Sequence, residues 1–205
     1  MKKRRIFRNL NDKEFAWVLY DVGNSAYTML ACALIPIWFK AMAIGTKPGQ
    51  LTSDRATAYY SMAIAVITIV VALLGPVCGA ISDYKGMKKI FFTSTVAVGV
   101  CGCILNGFAC QWIVFLLLFA VTKIFYNMSL MFYDSMLNDI TTEERMDEVS
   151  SYGYAWGYLG SCIPFLIALV AYVLGPDMAG IISGKLSMAI GFAVTGLWWL
   201  LVTVP

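Results

Sequence analysis

Six long apolar blocks constrain this chain more than any single motif does. They run at about 15–44, 57–82, 89–110, 112–136, 149–174 and 181–204, and each reaches the roughly 20 residues a spanning helix needs. Of the 205 residues 60% are hydrophobic and only 13% charged, where a soluble domain carries about a quarter charged. Period-2 alternation of the kind barrel strands show is absent. The expectation is an all-α membrane protein with six transmembrane helices joined by short connections, the first 14 residues forming a basic tail and 15–205 the bundle.

Charge placement gives an orientation. Lys2, Lys3, Arg4, Arg5, Arg8 and Lys13 crowd the N-terminus, and Lys85, Lys88, Lys89 and Arg145 fall on the same side of a six-span map. Lys40, Lys47, Arg55 and Lys185 fall on the other. Lys and Arg collect on the cytoplasmic side, so both termini are expected inside. The N-terminal cluster leads into Asn-Leu-Asn-Asp-Lys-Glu rather than a short apolar core with a cleavage site, unlike a signal peptide. A nucleic-acid-binding arm is the competing reading, but no polar domain follows to hold a duplex, and no nucleic-acid partner is expected. Trp17, Trp38, Trp112, Trp198 and Trp199 lie near the expected span ends, where interfacial anchoring is the expectation.

Metal, cofactor and enzyme chemistry find little support. There is no histidine, and Cys32, Cys78, Cys101, Cys103, Cys110 and Cys162 form no C-x-x-C pair. They read as small hydrophobes inside or beside spans. No nucleophile stands beside a base, and the 79–89 stretch lacks P-loop spacing.

Polar residues inside the spans carry the functional signal. An ionisable group at mid-span costs at least about 2.5–3.5 kcal/mol on insertion scales, so it faces other helices or water. Asp21, Asn24, Ser25 and Thr28 recur at i, i+3, i+4 and i+7 and share one face of the first helix. Lys123 lies mid-way along the fourth span, with Tyr126 and Asn127 at i+3 and i+4 and Asp134 returning to nearly the same face. The first and fourth spans run in opposite directions, and the assigned boundaries place Asp21 and Lys123 at similar depth, where they could pair. These eight residues are the expected cavity lining for a substrate or proton; helix–helix hydrogen bonding alone is the competing reading. In the fifth span Gly153, Gly157 and Ser161, with Gly160 beside them, form a small-residue stripe suited to close helix packing.

The connection "GAISDYKGMKK" at 79–89 has the pattern Gly-x-x-x-Asp-x-x-Gly-x-Lys-Lys, in Gly79, Asp83, Gly86, Lys88 and Lys89. A positive-inside turn explains the lysines and Gly86 but not Asp83 four residues after Gly79. The pattern resembles the signature loop of the major facilitator superfamily, with Met87 where that family often has arginine. "WVLYDVGNSAYTMLACALIPIWFK" (17–40), "FYDSMLNDI" (132–140) and "SSYGYAWGYLGS" (150–161) resemble the vacuole-effluxer branch, related to autophagy-linked vacuolar amino-acid exporters; Asp134 stands where that branch's fourth-helix motif is expected to have Asn.

The resemblance implies the N-terminal half of a major facilitator fold, a 3+3 inverted repeat. Further implications are transport of a small solute, amino acids included, an inner latch in the 79–89 loop, and pairing with a C-terminal six-helix half or a second copy. It also implies a multi-pass protein of the plasma membrane or a vacuole-type membrane. A six-span scaffold without transport is the alternative; it would tolerate changes at Asp21.

Overall fold

A computed structural model describes residues 9–82, 84 and 86–204, Ser82 by its backbone alone. Its helices are α1 (Asp12–Ala33), α2 (Ile35–Ala43), α3 (Ser53–Ser82), α4 (Met87–Asn106), α5 (Trp112–Ile140), α6 (Met146–Val173) and α7 (Gly184–Thr203), with a short 3₁₀ turn at Glu143–Arg145. Apart from one isolated bridge between Ile44 and Leu51, no β-structure occurs among the described residues. Helices α3 to α7 are each long and apolar enough to cross a membrane, and α1 with α2, taken as one bent pair, is long and apolar enough to make a sixth passage.

That sixth passage differs from the single helix expected over 15–44. It bends by 43° between Ala33 and Ile35. The cause is Pro36, which sits in the first turn of α2. Proline has no N–H to give the carbonyl four residues back, and its ring crowds that turn, so the ladder breaks there.

The helices form a bundle with α7 at its centre. α1 packs along α6 and α7, α4 packs along α5 and α7, and α3 lies against α5. The outward faces of α3 and α6 are apolar and exposed, among them Met62, Ile69, Leu73, Leu159, Ile163 and Val170. In lipid such faces are the normal surface.

Large rings fill holes made by small residues. Trp199 is fully buried and lies near the rings of Tyr27 and Tyr126, with centroids at 5.8 and 5.6 Å. Its indole presses on Gly99, where a Cβ would meet it at 2.6 Å. Trp38 seats against Gly191 in the same way, its indole filling the space an added Cβ would need. Trp38 and Trp199 are therefore core residues rather than interfacial anchors, because glycines on the facing helices open the space for them. Cys78 and Cys103 are buried as expected, whereas Cys32, Cys101, Cys110 and Cys162 are exposed.

One end of the bundle is tied by a buried acid that the sequence reading did not single out. Glu14 is 1% exposed. Its Oε2 accepts the Asn11 N–H at 2.8 Å while Asn11 Oδ1 accepts the Glu14 N–H at 2.9 Å, a capping box that starts α1. Its Oε1 accepts from Thr141 Oγ1 at 2.8 Å and pairs with Arg145 at 3.1 Å. Arg145 also donates to the Asn9 carbonyl at 2.6 Å. The start of α1 is thus fastened to the α5–α6 connection.

Replacing Glu14 by Ala is expected to destabilise the protein by about 1–3 kcal/mol, because it opens the capping box and leaves Thr141 without its acceptor, while Arg145 keeps the Asn9 carbonyl and Glu148. A fall in the unfolding temperature in detergent would register this; an unchanged temperature would show that the network is dispensable.

Candidate functional site

The polar stripe of α1 faces inward, toward α5 and α6. Asn24 donates from Nδ2 to the Tyr20 carbonyl at 3.0 Å and to Asp21 Oδ1 at 3.4 Å. Its Oδ1 accepts from the Tyr126 hydroxyl at 3.2 Å, and that hydroxyl also shares a hydrogen bond with Thr28 Oγ1. One turn nearer the Glu14 end, the Tyr20 hydroxyl meets Ser129 Oγ at 2.8 Å. These bonds hold α1 to α5 in one register, with Trp17 opposite Tyr133, Tyr20 opposite Ser129, and Asn24 and Thr28 opposite Tyr126.

The small-residue stripe of α6 makes room for the acid. Gly153 and Gly157 are buried against α1, and a Cβ there would lie 3.2 and 3.0 Å from Asp21 Oδ2. The Gly157 position also faces Ser25 Oγ at 3.0 Å, and Gly160 faces Val22. Ser161 closes the stripe with a 3.0 Å contact from its hydroxyl to Met29 Sδ. Backbone smoothness on α6 lets a carboxylate on α1 sit at the helix–helix seam.

Between α1, α5 and α6 lies a cavity of about 310 Å³. From the α1 stripe, Asp21, Asn24, Ser25 and Thr28 line it, joined by Tyr126 and Asp134 from α5. Trp17, Tyr133, Tyr154 and Tyr158 add an aromatic wall. Trp17 stacks on Tyr133 with ring centroids 4.2 Å apart and donates its indole N–H to the Tyr133 carbonyl at 3.0 Å. Asp21 and Asp134 lie within electrostatic reach of each other. The aromatic wall was not foreseen as such. Trp17 read as an anchor, and the spacing of Tyr154 and Tyr158 at i and i+4 was the available signal.

Two expected members fall elsewhere. Lys123 and Asn127 are half-buried but do not line the cavity. Lys123 Nζ lies over the Tyr126 ring at 4.7 Å and the Tyr27 ring at 5.8 Å. Among the described residues it forms no ion pair with Asp21. The observed register explains why: Lys123 stands near Tyr27, six residues along α1 from Asp21, an axial offset of about 9 Å. The two charges are not at one depth.

Of the loop residues, Asp83 lies outside the described residues. Gly86 has φ of +86°, which disfavours any side chain, and starts α4. Lys88 pairs with Asp139 at 2.6 Å and donates to the Ser135 carbonyl at 3.1 Å, joining α4 to the end of α5. Lys89 is exposed, and Gly79 has nothing within 4 Å of an added Cβ.

A bundle of six apolar passages enclosing a polar, acid-bearing cavity has the build of one half of a membrane transporter. The sequence model of the vacuole effluxer Atg22-like family matches residues 49–205. The chain belongs to that family, one of transport proteins rather than enzymes. It is also 35% identical over 203 residues to the uncharacterized MFS-type transporter YxiO of Bacillus subtilis (strain 168), an alignment covering 98% of this chain and 47% of that protein. The chain thus spans about half the length of this relative. No solved structure matches it.

Gly157→Ala is expected to push α6 off Asp21 and Ser25 and to cost about 1–3 kcal/mol, the range for overpacking a tight contact. Gly79→Ala, inside α3 with open space around it, should leave the unfolding temperature unchanged or slightly raised, since alanine favours a helix over glycine. Thermal unfolding of the two variants side by side checks this; equal shifts would contradict the seam.

Proposed function

We propose that this chain forms one half of a secondary transporter that moves a small polar solute by alternating access, with the α1–α5–α6 cavity as its share of the binding site. The observation that carries the reading is Asp21: a carboxylate well inside an apolar bundle, without a basic partner among the described residues, facing a cavity large enough for a small molecule. A group so placed costs stability unless it meets water or ligand, and a scaffold has no use for it. Family membership supports a solute as cargo, and amino acids are the class implied by the resemblance of the 17–40, 132–140 and 150–161 stretches to vacuolar exporters.

In this reading a second six-helix unit, from further sequence or another copy, closes the cavity opposite α1. Rocking of the two units exposes the site to either side in turn. Gly79 fits the same picture, since its open surface leaves room for a neighbour to approach. The 79–89 connection acts as an inner latch through Asp83 and its lysines, and the basic N-terminus lies in the cytoplasm. Lys123 serves the bundle by its cation–π contacts rather than by holding the solute.

Uptake or release of radiolabelled amino acids by membrane vesicles carrying the protein tests the proposal. Asp21→Asn should reduce the rate more than about tenfold, on the order of 1.4 kcal/mol or more of lost stabilisation, while Lys123→Ala retains most of it. Full activity in Asp21→Asn would remove Asp21 from the site, and no solute movement by the parent protein would leave the scaffold reading standing.

A further inference from the structure

The cavity has a charge character that narrows what it can hold. Among the described residues its acids are Asp21 and Asp134, and no Lys or Arg lines it. The nearest intramembrane cation, Lys123, is engaged on the rings of Tyr126 and Tyr27. Neither carboxylate has a basic partner among the described residues. A ligand bearing an anion here would meet two like charges and no counter-charge.

The second observation is Tyr133. It is only 4% exposed, it lines the same cavity, and its hydroxyl makes no hydrogen bond. That hydroxyl lies within electrostatic reach of Asp21, Asp134 and Tyr154. An unpaired buried hydroxyl is costly, and most find a partner. Its side chain lines the cavity, so a small movement on binding would bring the hydroxyl to a bound group that supplies what it lacks.

The third observation is the wall. The rings of Trp17, Tyr126, Tyr133, Tyr154 and Tyr158 border the two acids. Aromatic faces carry negative quadrupole potential and attract ammonium groups, with Trp and Tyr the strongest. The bundle already uses this interaction at Lys123. Carboxylates set among tyrosine and tryptophan faces suit an ammonium carried on an apolar body.

We infer that the solute recognised by this half is a primary or substituted amine, bound as its cation between Asp21 and Asp134 with its apolar part against the aromatic wall. The inference rests on the transporter reading and adds the chemical class of the solute. Zwitterionic amino acids fall within it only through their ammonium; the carboxylate must then be met from outside this cavity.

Three probes that share one ring and differ in charge test it: tyramine, 4-ethylphenol and 3-(4-hydroxyphenyl)propionate. Binding to the purified protein in lipid nanodiscs is measured by calorimetry. Tyramine should bind at least about tenfold more tightly than the neutral or anionic probe, and Asp134→Asn should erase that preference. Tyr133→Phe, which removes a hydroxyl that makes no bond in the free protein, should weaken tyramine by a few fold and leave 4-ethylphenol unchanged. Each variant is first shown to elute as a single species with parental helicity. Tighter binding of the propionate, or tyramine binding indifferent to both substitutions, overturns the inference. Failure of all three probes also overturns it; if Asp21-dependent solute movement persists in vesicles, the transporter reading survives that failure, and if it does not, both fall.

Discussion

The arrangement depends on the close approach of α1 and α6. Lipid offers no hydrogen bonds, so every polar group inside the bundle must be met by protein, water or ligand. Gly153 and Gly157 bring the α6 backbone against Asp21 and Ser25, which encloses the acid on one side. On the other side, Asn24, Thr28 and Tyr126 form a chain of hydrogen bonds that holds α5 in register with α1. A side chain at Gly153 or Gly157 would crowd Trp17, Asp21 and Ser25, and the cavity between the three helices would change shape with it.

The remaining packing can be read as support for that seam. Trp199 lies at the centre of the bundle on the Gly99 surface and near the rings of Tyr27 and Tyr126, so α7 braces the same helices that carry the polar groups. At one end the Glu14 network ties α1 to the α5–α6 connection. Lys88 with Asp139 ties α4 to α5 beside it. These two ion pairs sit at helix ends, while the intramembrane acids are left without a basic partner among the described residues. Structure-holding charges and cavity-facing charges are thereby kept apart along the helix axes.

Much of this was legible in the sequence. Apolar length gave the number of passages, and 3.6-residue periodicity put Asp21, Asn24, Ser25 and Thr28 on one face that does line the cavity. The Gly-xxx-Gly-xxx-Ser spacing gave a tight helix contact, though not its partner. What a single sequence lacks is the axial offset between helices. Depth counted from approximate span ends matched Lys123 with Asp21, and the hydrogen-bonded register separates them. The tryptophans misled for a related reason: position near a span end suggested the interface, but the facing glycines that accept Trp38 and Trp199 lie on other helices. Pro36 was visible in the chain, and the bend it causes follows from chemistry that apolar block length does not report.

The central claim is that the face of α1 bearing Asp21 borders a water-filled passage rather than lipid. In a chain lacking its six native cysteines, single cysteines at Ser25 and Leu73 can be exposed to a charged, membrane-impermeant thiol reagent in nanodiscs. Leu73 is 72% exposed on the apolar face of α3, and Ser25 lines the cavity. The account predicts rapid labelling at residue 25 and none at residue 73. Labelling at 73 with none at 25 would contradict it.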